Sequence, residues 1–439
     1  MKRIFTTACL CLMALYAISQ PQRNMMRATD PKFFQTDEAR RIGDQILLYQ
    51  RVTGGWPKNI DMARELNEGE RAKVLADKSR RDDSTTDNNA TSMQMKYLAR
   101  LYQATKDKRY KEGFNKAVEY LLSGQYESGG WPQFWPEMHG YQVHITYNDD
   151  AMVNTMLLLR DIAQQKSPYE GKLTDKALRK RAVQAFDKGV ECILATQIRV
   201  DGKPTVWCQQ HDRETFLPAK ARAYELPSYC SQESASIVKL LMELPHPDER
   251  VKEAIHGAMK WFDKYKLTGL RLVRTGFWGG PDRDTQLVED PQGKPLWARY
   301  YDLKYVEPYV CDRDGLPRRH LSDIGPERRN GYSWYGDRPA ELYRLYDAWA
   351  DKYDPTHKVN ISLQTKGANE NGLIQMFREP KKDMSDFDAI VNPNESIQAA
   401  IEQAPESPET PYKIFIRKGT YNQKVIIDRP NIVLVGEQR

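Results

Sequence analysis

Four polar stretches carry residue types that could do chemistry. Asp82-Asp83-Ser84-Thr85-Thr86-Asp87-Asn88-Asn89-Ala90-Thr91 crowds carboxylates, amides and hydroxyls together. These are the oxygen ligands that a hard cation such as calcium prefers. The same run precedes an apolar-periodic segment, so it reads equally as a helix cap with a solvated acidic loop. In Thr146-Tyr147-Asn148-Asp149-Asp150-Ala151-Met152, the two adjacent acids and Asn148 make a calcium half-site. A cap by Asn148, with acids complementing the helix dipole, explains that run without a metal. No EF-hand spacing joins the two runs, so a cation would be held by separate loops, with the substrate's own carboxylates completing its shell.

Pro218 to Ser228 alternates the cations Lys220 and Arg222 with alanines, whose small side chains let a guanidinium approach a ligand closely. An Arg222–Glu225 surface pair worth little energy is the plainer account. Cys311-Asp312-Arg313-Asp314-Gly315 and Glu327-Arg328-Arg329-Asn330-Gly331-Tyr332-Ser333-Trp334 place arginine forks beside aromatic rings. That pairing suits a sugar acid, with its carboxylate in the fork and its ring on the aromatic face. Arginine stacked on a core aromatic is the alternative. His139, His144 and His211 have no triad or metal spacing, no G-x-S-x-G elbow occurs, and the histidines read as structural.

Helices must position these loops. Apolar residues recur at helical spacing in Asp37–Arg51, Thr91–Ala104, Lys111–Ser123, Asp149–Gln165, Asp175–Thr196, Ser231–Met242, Glu249–Tyr265 and Arg338–Lys352, and strand-like alternation is scarce. Gly54-Gly55-Trp56-Pro57 and Gly129-Gly130-Trp131-Pro132 punctuate two helix ends in the same way. Glycine closes a helix in a left-handed conformation and proline stops it resuming. A turn repeated after helix pairs predicts an all-α fold, an α/α-toroid of helix hairpins around a central cleft. After about residue 357 the character changes. A polar linker over 357–385 leads to a short helix at Ser396–Ile401. Strands follow at Tyr412–Tyr421, Val425–Ile427 and Ile432–Gly436, a short α/β fragment over 386–439.

The 439 residues suffice for one large domain plus extra material, and 40% hydrophobic with 10% aromatic content excludes a disordered chain. Lys2 and Arg3 followed by the apolar run Ile4–Ile18 read as an export signal cleaved near Gln20, too short to span a membrane. A secreted or periplasmic protein without a membrane span is expected, as a monomer. Losing that segment takes the formal charge from +6 to +4, which permits a polyanionic substrate without indicating one. Lysines and arginines interleaved with 60 acids argue against nucleic acid. Cys192, Cys208, Cys230 and Cys311 then remain, either bridged or buried.

Together, Gly54-Gly55-Trp56-Pro57-Lys58-Asn59, Asp87-Asn88-Asn89-Ala90-Thr91, Gly129-Gly130-Trp131-Pro132-Gln133, Tyr147–Met152, Thr205–Asp212 and Glu327–Tyr332 resemble the pectate lyases of polysaccharide lyase family ten. They run in order through residues 31–356. The resemblance implies an α/α-toroid with a groove for polygalacturonate, cleaved by calcium-assisted anti β-elimination to 4,5-unsaturated products. It implies that Asp87, Asp149 and the adjacent Asp150 hold Ca2+ and that Arg222 is the base removing the C5 proton. It places Asn88, Asn89, Lys220, Arg313, Arg328 and Tyr332 on the substrate. Since an arginine is neutral only when its pKa is depressed, nearby positive charge is expected to push Arg222 down, with an alkaline optimum. The segment 386–439 resembles the opening of a pectin methylesterase, a parallel β-helix whose catalytic residues come later, so no esterase activity is expected of it. Two other readings stay open. One is a toroid glycoside hydrolase using Asp87 and Asp149, and the other a non-catalytic pectin-binding protein.

Overall fold

A computed structural model describes residues 25–277, 280–363, 387–406, 410–417 and 419–436. The expected export segment, 1–20, and residues 364–385 of the expected linker lie outside the described residues. The chain divides into two compact units, Met1–Lys366 and Gly367–Arg439.

In the first unit the helices are α1 (Asp37–Tyr49), α2 (Glu68–Ala76), α3 (Ser92–Thr105), α4 (Lys108–Ser123), α5 (Ala151–Ala163), α6 (Lys176–Thr196), α7 (Ser231–Met242), α8 (Glu249–Tyr265), α9 (Pro326–Gly331) and α10 (Ala340–Tyr353). Consecutive pairs α3/α4, α5/α6 and α7/α8 pack together. The first members touch one another in series, as do the second members, so the pairs form an inner and an outer layer. This is the layering that the toroid requires. Composition explains which helix goes where. Inner α5 buries Met152, Val153, Met156, Leu158, Leu159 and Ile162, apolar nearly all round. Outer α8 buries a single stripe, including Val251, Ile255, Met259 and Phe262, and leaves charges on its far side.

The Gly-Gly-Trp-Pro turns belong to a wider repeat. Indole N–H groups donate from Trp56 to Ile46 O at 2.8 Å, Trp131 to Leu121 O at 2.8 Å, Trp207 to Ile193 O at 2.7 Å and Trp297 to Phe262 O at 2.9 Å. Each tryptophan is fully buried and ties its turn to a carbonyl in the last turn of α1, α4, α6 or α8. Gln50, Gln125 and Gln197 repeat a second contact, each amide bridging its own turn and the next outer helix through Gly113 O, Ala185 O or Ala254 O. Gly54 and Gly129 sit at φ of +96° and +90°, and a Cβ on either would meet a backbone oxygen at 2.3 or 2.0 Å. Glycine is required at both.

Strand is more abundant than expected. Leu270–Thr275 and Asp284–Glu289 form an antiparallel hairpin, and a four-stranded antiparallel sheet runs in the order Pro317–Arg318, Pro308–Cys311, Tyr300–Asp302, Ser228–Cys230. Most of its strands are too short for alternation to register. The second unit holds the parallel strands Ala389–Val391, Tyr412–Ile416 and Ile432–Gly436 in sheet order, with helix α11 (Ile397–Glu402) capped by Ser396. Val391, Ile397, Ala400, Ile401 and Ile414 make its core. Val425–Ile427, expected as strand, is not one. No helix among the described residues is long and apolar enough to cross a membrane.

Candidate active site

The inner helices bring their N-terminal turns together. The Asp87–Asn89 turn before α3 packs against the Asn148–Asp150 turn before α5, which in turn packs on α7. Both turns are left-handed at successive residues: Asn88, Asn89 and Thr91 have φ of 53°, 61° and 60°, and Asp149 and Asp150 have 51° and 61°. Such backbone is costly for residues with a Cβ and persists only where surrounding contacts enforce it. Here Thr91 Oγ1 donates to Thr85 O and accepts from Trp56 N, and Asp87 N donates to Thr85 Oγ1 at 3.0 Å. The second turn is held by Gln209 O, which accepts from Tyr147 N and Asn148 N at 2.8 and 2.9 Å.

The tryptophan repeat feeds this site. The residue two positions after each tryptophan is Lys58, Gln133, Gln209 or Arg299. Lys58 Nζ and Gln133 Nε2 both donate to Asp87 Oδ2, the latter at 3.0 Å. Asp87 Oδ1 is buried without a partner among the described residues. Arg299 donates to Asn148 Oδ1 at 3.0 Å and Asp149 Oδ1 at 3.3 Å, and pairs with Glu233. Burial alone would favour a neutral Arg299, but the Glu233 charge outweighs it and holds the guanidinium protonated. Cys230 Sγ donates to the other Glu233 oxygen at 2.5 Å.

Tyr332 links these acids to the arginines. Its ring lies under Arg299 at 4.8 Å, Arg222 at 5.8 Å and Arg328 at 5.9 Å. Its hydroxyl donates to Glu225 Oε1 at 2.7 Å and lies 2.5 Å from the Tyr300 hydroxyl. A series of contacts thus links the Asp87 turn to Asp149, Asp149 through Arg299 to Tyr332, and Tyr332 to Arg222 and Arg328. Asn88 and Asn89 are exposed beside Asp87, and Asn88 borders a cavity of about 460 Å³ with Lys58 and Asp61. Lys220 is exposed on the same loop as Arg222 and comes close to Gly315.

Two expectations need correction. Arg222 is not pushed toward neutrality: Nε donates to Glu225 Oε2 at 2.7 Å and Nη2 to Oε1, a bidentate pair. Burial favours the neutral form, but the Glu225 hydrogen bonds and charge outweigh it and raise the Arg222 pKa. Asp150 is not free for a metal, because both its oxygens accept from Arg338 Nη1 at 2.8 and 2.9 Å. Burial raises its pKa against that partner. No group of three His, Cys, Asp or Glu that could hold a metal occurs among the described residues. Arg313 and Arg328 share Glu327, whose carboxyl those two arginines, Arg328 first, pull down to about 2. What remains for a cation is Asp87 Oδ1 and the half-exposed Asp149. They are oxygen donors on adjacent loops, too few to enclose an ion alone, and they fit one held jointly with an anionic ligand.

Of the three candidate histidines, His211 is structural. His211 is fully buried, accepting from Cys208 N at 2.9 Å and contacting Phe216 O at 2.8 Å, and burial lowers its pKa to about 4. All four described cysteines are free and buried.

Residues 50–343 match the pectic acid lyase family. The chain belongs to that family. A family 10 polysaccharide lyase from Cellvibrio cellulosa is 29% identical, with a TM-score of 0.64 over 75% of this chain and 95% of its own. An aspartate-to-alanine mutant of a family 10 lyase from that organism, in complex with trigalacturonic acid, matches at 29% identity and a TM-score of 0.63, over 74% of this chain and 95% of its own. No curated protein matches. The chain is thus an enzyme of a lyase family that acts on polysaccharide, which favours elimination over the hydrolase and non-catalytic binding readings. Lys58, Gln133, Glu225, Glu233 and Arg299 are site residues that motif reading missed or set aside as surface.

Proposed function

We propose that the protein cleaves polygalacturonate by anti β-elimination in the cleft between Asp87, Asp149 and Arg222. The observation that carries this reading is the convergence of three arginines on Tyr332, one of which, Arg299, holds the Asn148–Asp150 turn that packs against the Asp87 turn, in a lyase family with a relative in complex with trigalacturonic acid.

In the reaction the C5–H bond breaks and its electron pair forms the C4–C5 double bond. The C4–O bond cleaves, and the leaving oxygen takes up a proton. The C5 proton is weakly acidic because the adjacent carboxylate is already charged. Ca2+ held by Asp87 and Asp149 together with that carboxylate would neutralise it. Arg328 and Arg313, on the far side, suit neighbouring sugar carboxylates, exchanging Glu327 for the ligand. Arg299 keeps Asp149 in place while the substrate binds.

Arg222 serves as base only after it leaves Glu225 and gives up a proton. Glu225 tolerates that departure, since Oε1 keeps the Tyr332 hydroxyl and Oε2 keeps the Arg222 amide at 3.1 Å. The cost of the step places the activity optimum in the alkaline range. The test is ultraviolet absorbance of polygalacturonate digests. A rising absorbance that a calcium chelator abolishes supports the reading, and chain scission without new absorbance refutes it.

A further inference from the structure

A cavity of about 840 Å³ lies behind the site, lined by α8 and by residues 200–205, 303–306, 354 and 357. Strand alternation separates it from the catalytic cleft. On Tyr300–Asp302, Tyr300 meets Tyr332 on the cleft side, whereas the Tyr301 hydroxyl donates to Tyr265 O at 2.9 Å on the other. On Ser228–Cys230, Cys230 reaches Glu233 while Tyr229 lines the cavity.

The cavity has an aromatic floor. Trp261 lies 5.1 Å from Tyr265, 5.8 Å from Tyr229 and 5.0 Å from Tyr301 between ring centroids. Trp261 is only 4% exposed, and its indole N–H has no partner among the described residues. A buried donor left unpaired is costly and asks for an acceptor. The rim is cationic. Lys203, Lys260, Lys264 and Lys304 are exposed and make no ion pair among the described residues. Three of the acids beside them are engaged, Glu249 with Lys252, Glu253 with Arg199, and Asp354 with His256 and His357, while the exposed Asp201 makes no ion pair among the described residues.

We propose that this cavity is a second, non-catalytic binding site for a short oligogalacturonate. A sugar ring would lie against Tyr265, the half-buried ring of this floor, with carboxylates on Lys264, whose ammonium sits 5.0 Å over that ring, and on the other lysines that make no ion pair. The assignment rests on the substrate class proposed above. Such a site would hold the polymer to the enzyme between cleavages, so that a second contact adds avidity for long chains only.

The test uses the full chain with Lys260→Ala and Lys264→Ala, and separately Tyr265→Ala. On trigalacturonic acid, turnover stays as in the parent. On long polygalacturonate KM rises about three- to tenfold with kcat unchanged. Calorimetry with trigalacturonic acid, in an Asp87→Ala background to limit turnover, shows the number of bound trisaccharides falling by one. An unchanged number and affinity overturns the proposal. So does equal competition by polyglutamate, which carries the charge without the ring. Thermal unfolding at the parent temperature certifies that each variant folds. Absence of any unsaturated product from the parent enzyme would instead sink the proposed reaction, so the two failures are distinguishable.

Discussion

Replacing Arg299 with alanine should damage this protein twice, in ways that can be separated. Glu233 is 2% exposed, and Arg299 and the Cys230 thiol are its partners. Deleting one member of a buried pair leaves an uncompensated charge and costs about 3–5 kcal/mol. For a unit of this size that corresponds to a fall in Tm of roughly 4–7 °C. Arg299 also anchors Asn148 and Asp149, so the acidic turn loses its position and activity falls about a hundredfold or more. The double variant Arg299→Met, Glu233→Leu removes both charges and should recover most of the lost Tm, since apolar replacement of a buried pair is often neutral. It should recover none of the activity. Differential scanning calorimetry with absorbance kinetics on polygalacturonate reads both. A single variant with parental Tm, or a double variant with restored turnover, refutes the reasoning.

Other consequences follow from the same geometry. Glu225→Gln removes the charge that holds Arg222 protonated. A charge-assisted pair is worth about 1.5–3 kcal/mol. Discounted by about half for the partly exposed guanidinium, that moves the ascending limb of the pH–rate profile down by about one pH unit. An unmoved limb would remove Arg222 as base. His211 is neutral in the fold down to about 4, while an unfolded histidine takes up its proton near 6.5. The unfolded chain therefore binds more protons in that window. Stability is complete above pH 6.5 and declines by about 3 kcal/mol on going to pH 4. A flat series of urea midpoints over that range would contradict it. Gly129→Ala forces a Cβ to 2.0 Å from Lys188 O at φ of +90° and should cost about 2–4 kcal/mol in urea unfolding.

The two acidic turns were legible because each precedes a long helix rich in apolar residues, and their polar composition has few uses other than a cap or a ligand. The helices followed from periodicity. Ser231–Met242 and Glu249–Tyr265 end where expected, while α2 was not anticipated: its one buried side chain, Val74, leaves no stripe. The fourfold character of the tryptophan turns was only half visible. Trp56 and Trp131 keep Gly-Gly-Trp-Pro, but Trp207 follows a short hairpin and Trp297 follows the long one, so spacing no longer betrays them. With all four aligned, Lys58, Gln133, Gln209 and Arg299 stand at one repeat position, a signal that could have exposed Arg299. Glu225 was seen only as a surface partner of Arg222. Its burial depends on Tyr332, more than 100 residues away, and no local pattern encodes it.

The account turns on a cation shared between Asp87, Asp149 and a sugar carboxylate. Calorimetric titration of Ca2+ with and without trigalacturonic acid tests it most directly. The account predicts weak Ca2+ binding to the protein alone, at least tenfold tighter binding with the trisaccharide, reciprocal tightening of the sugar by Ca2+, and loss of both in Asp87→Asn. Ca2+ affinity that is indifferent to the sugar, or intact in that variant, would contradict it.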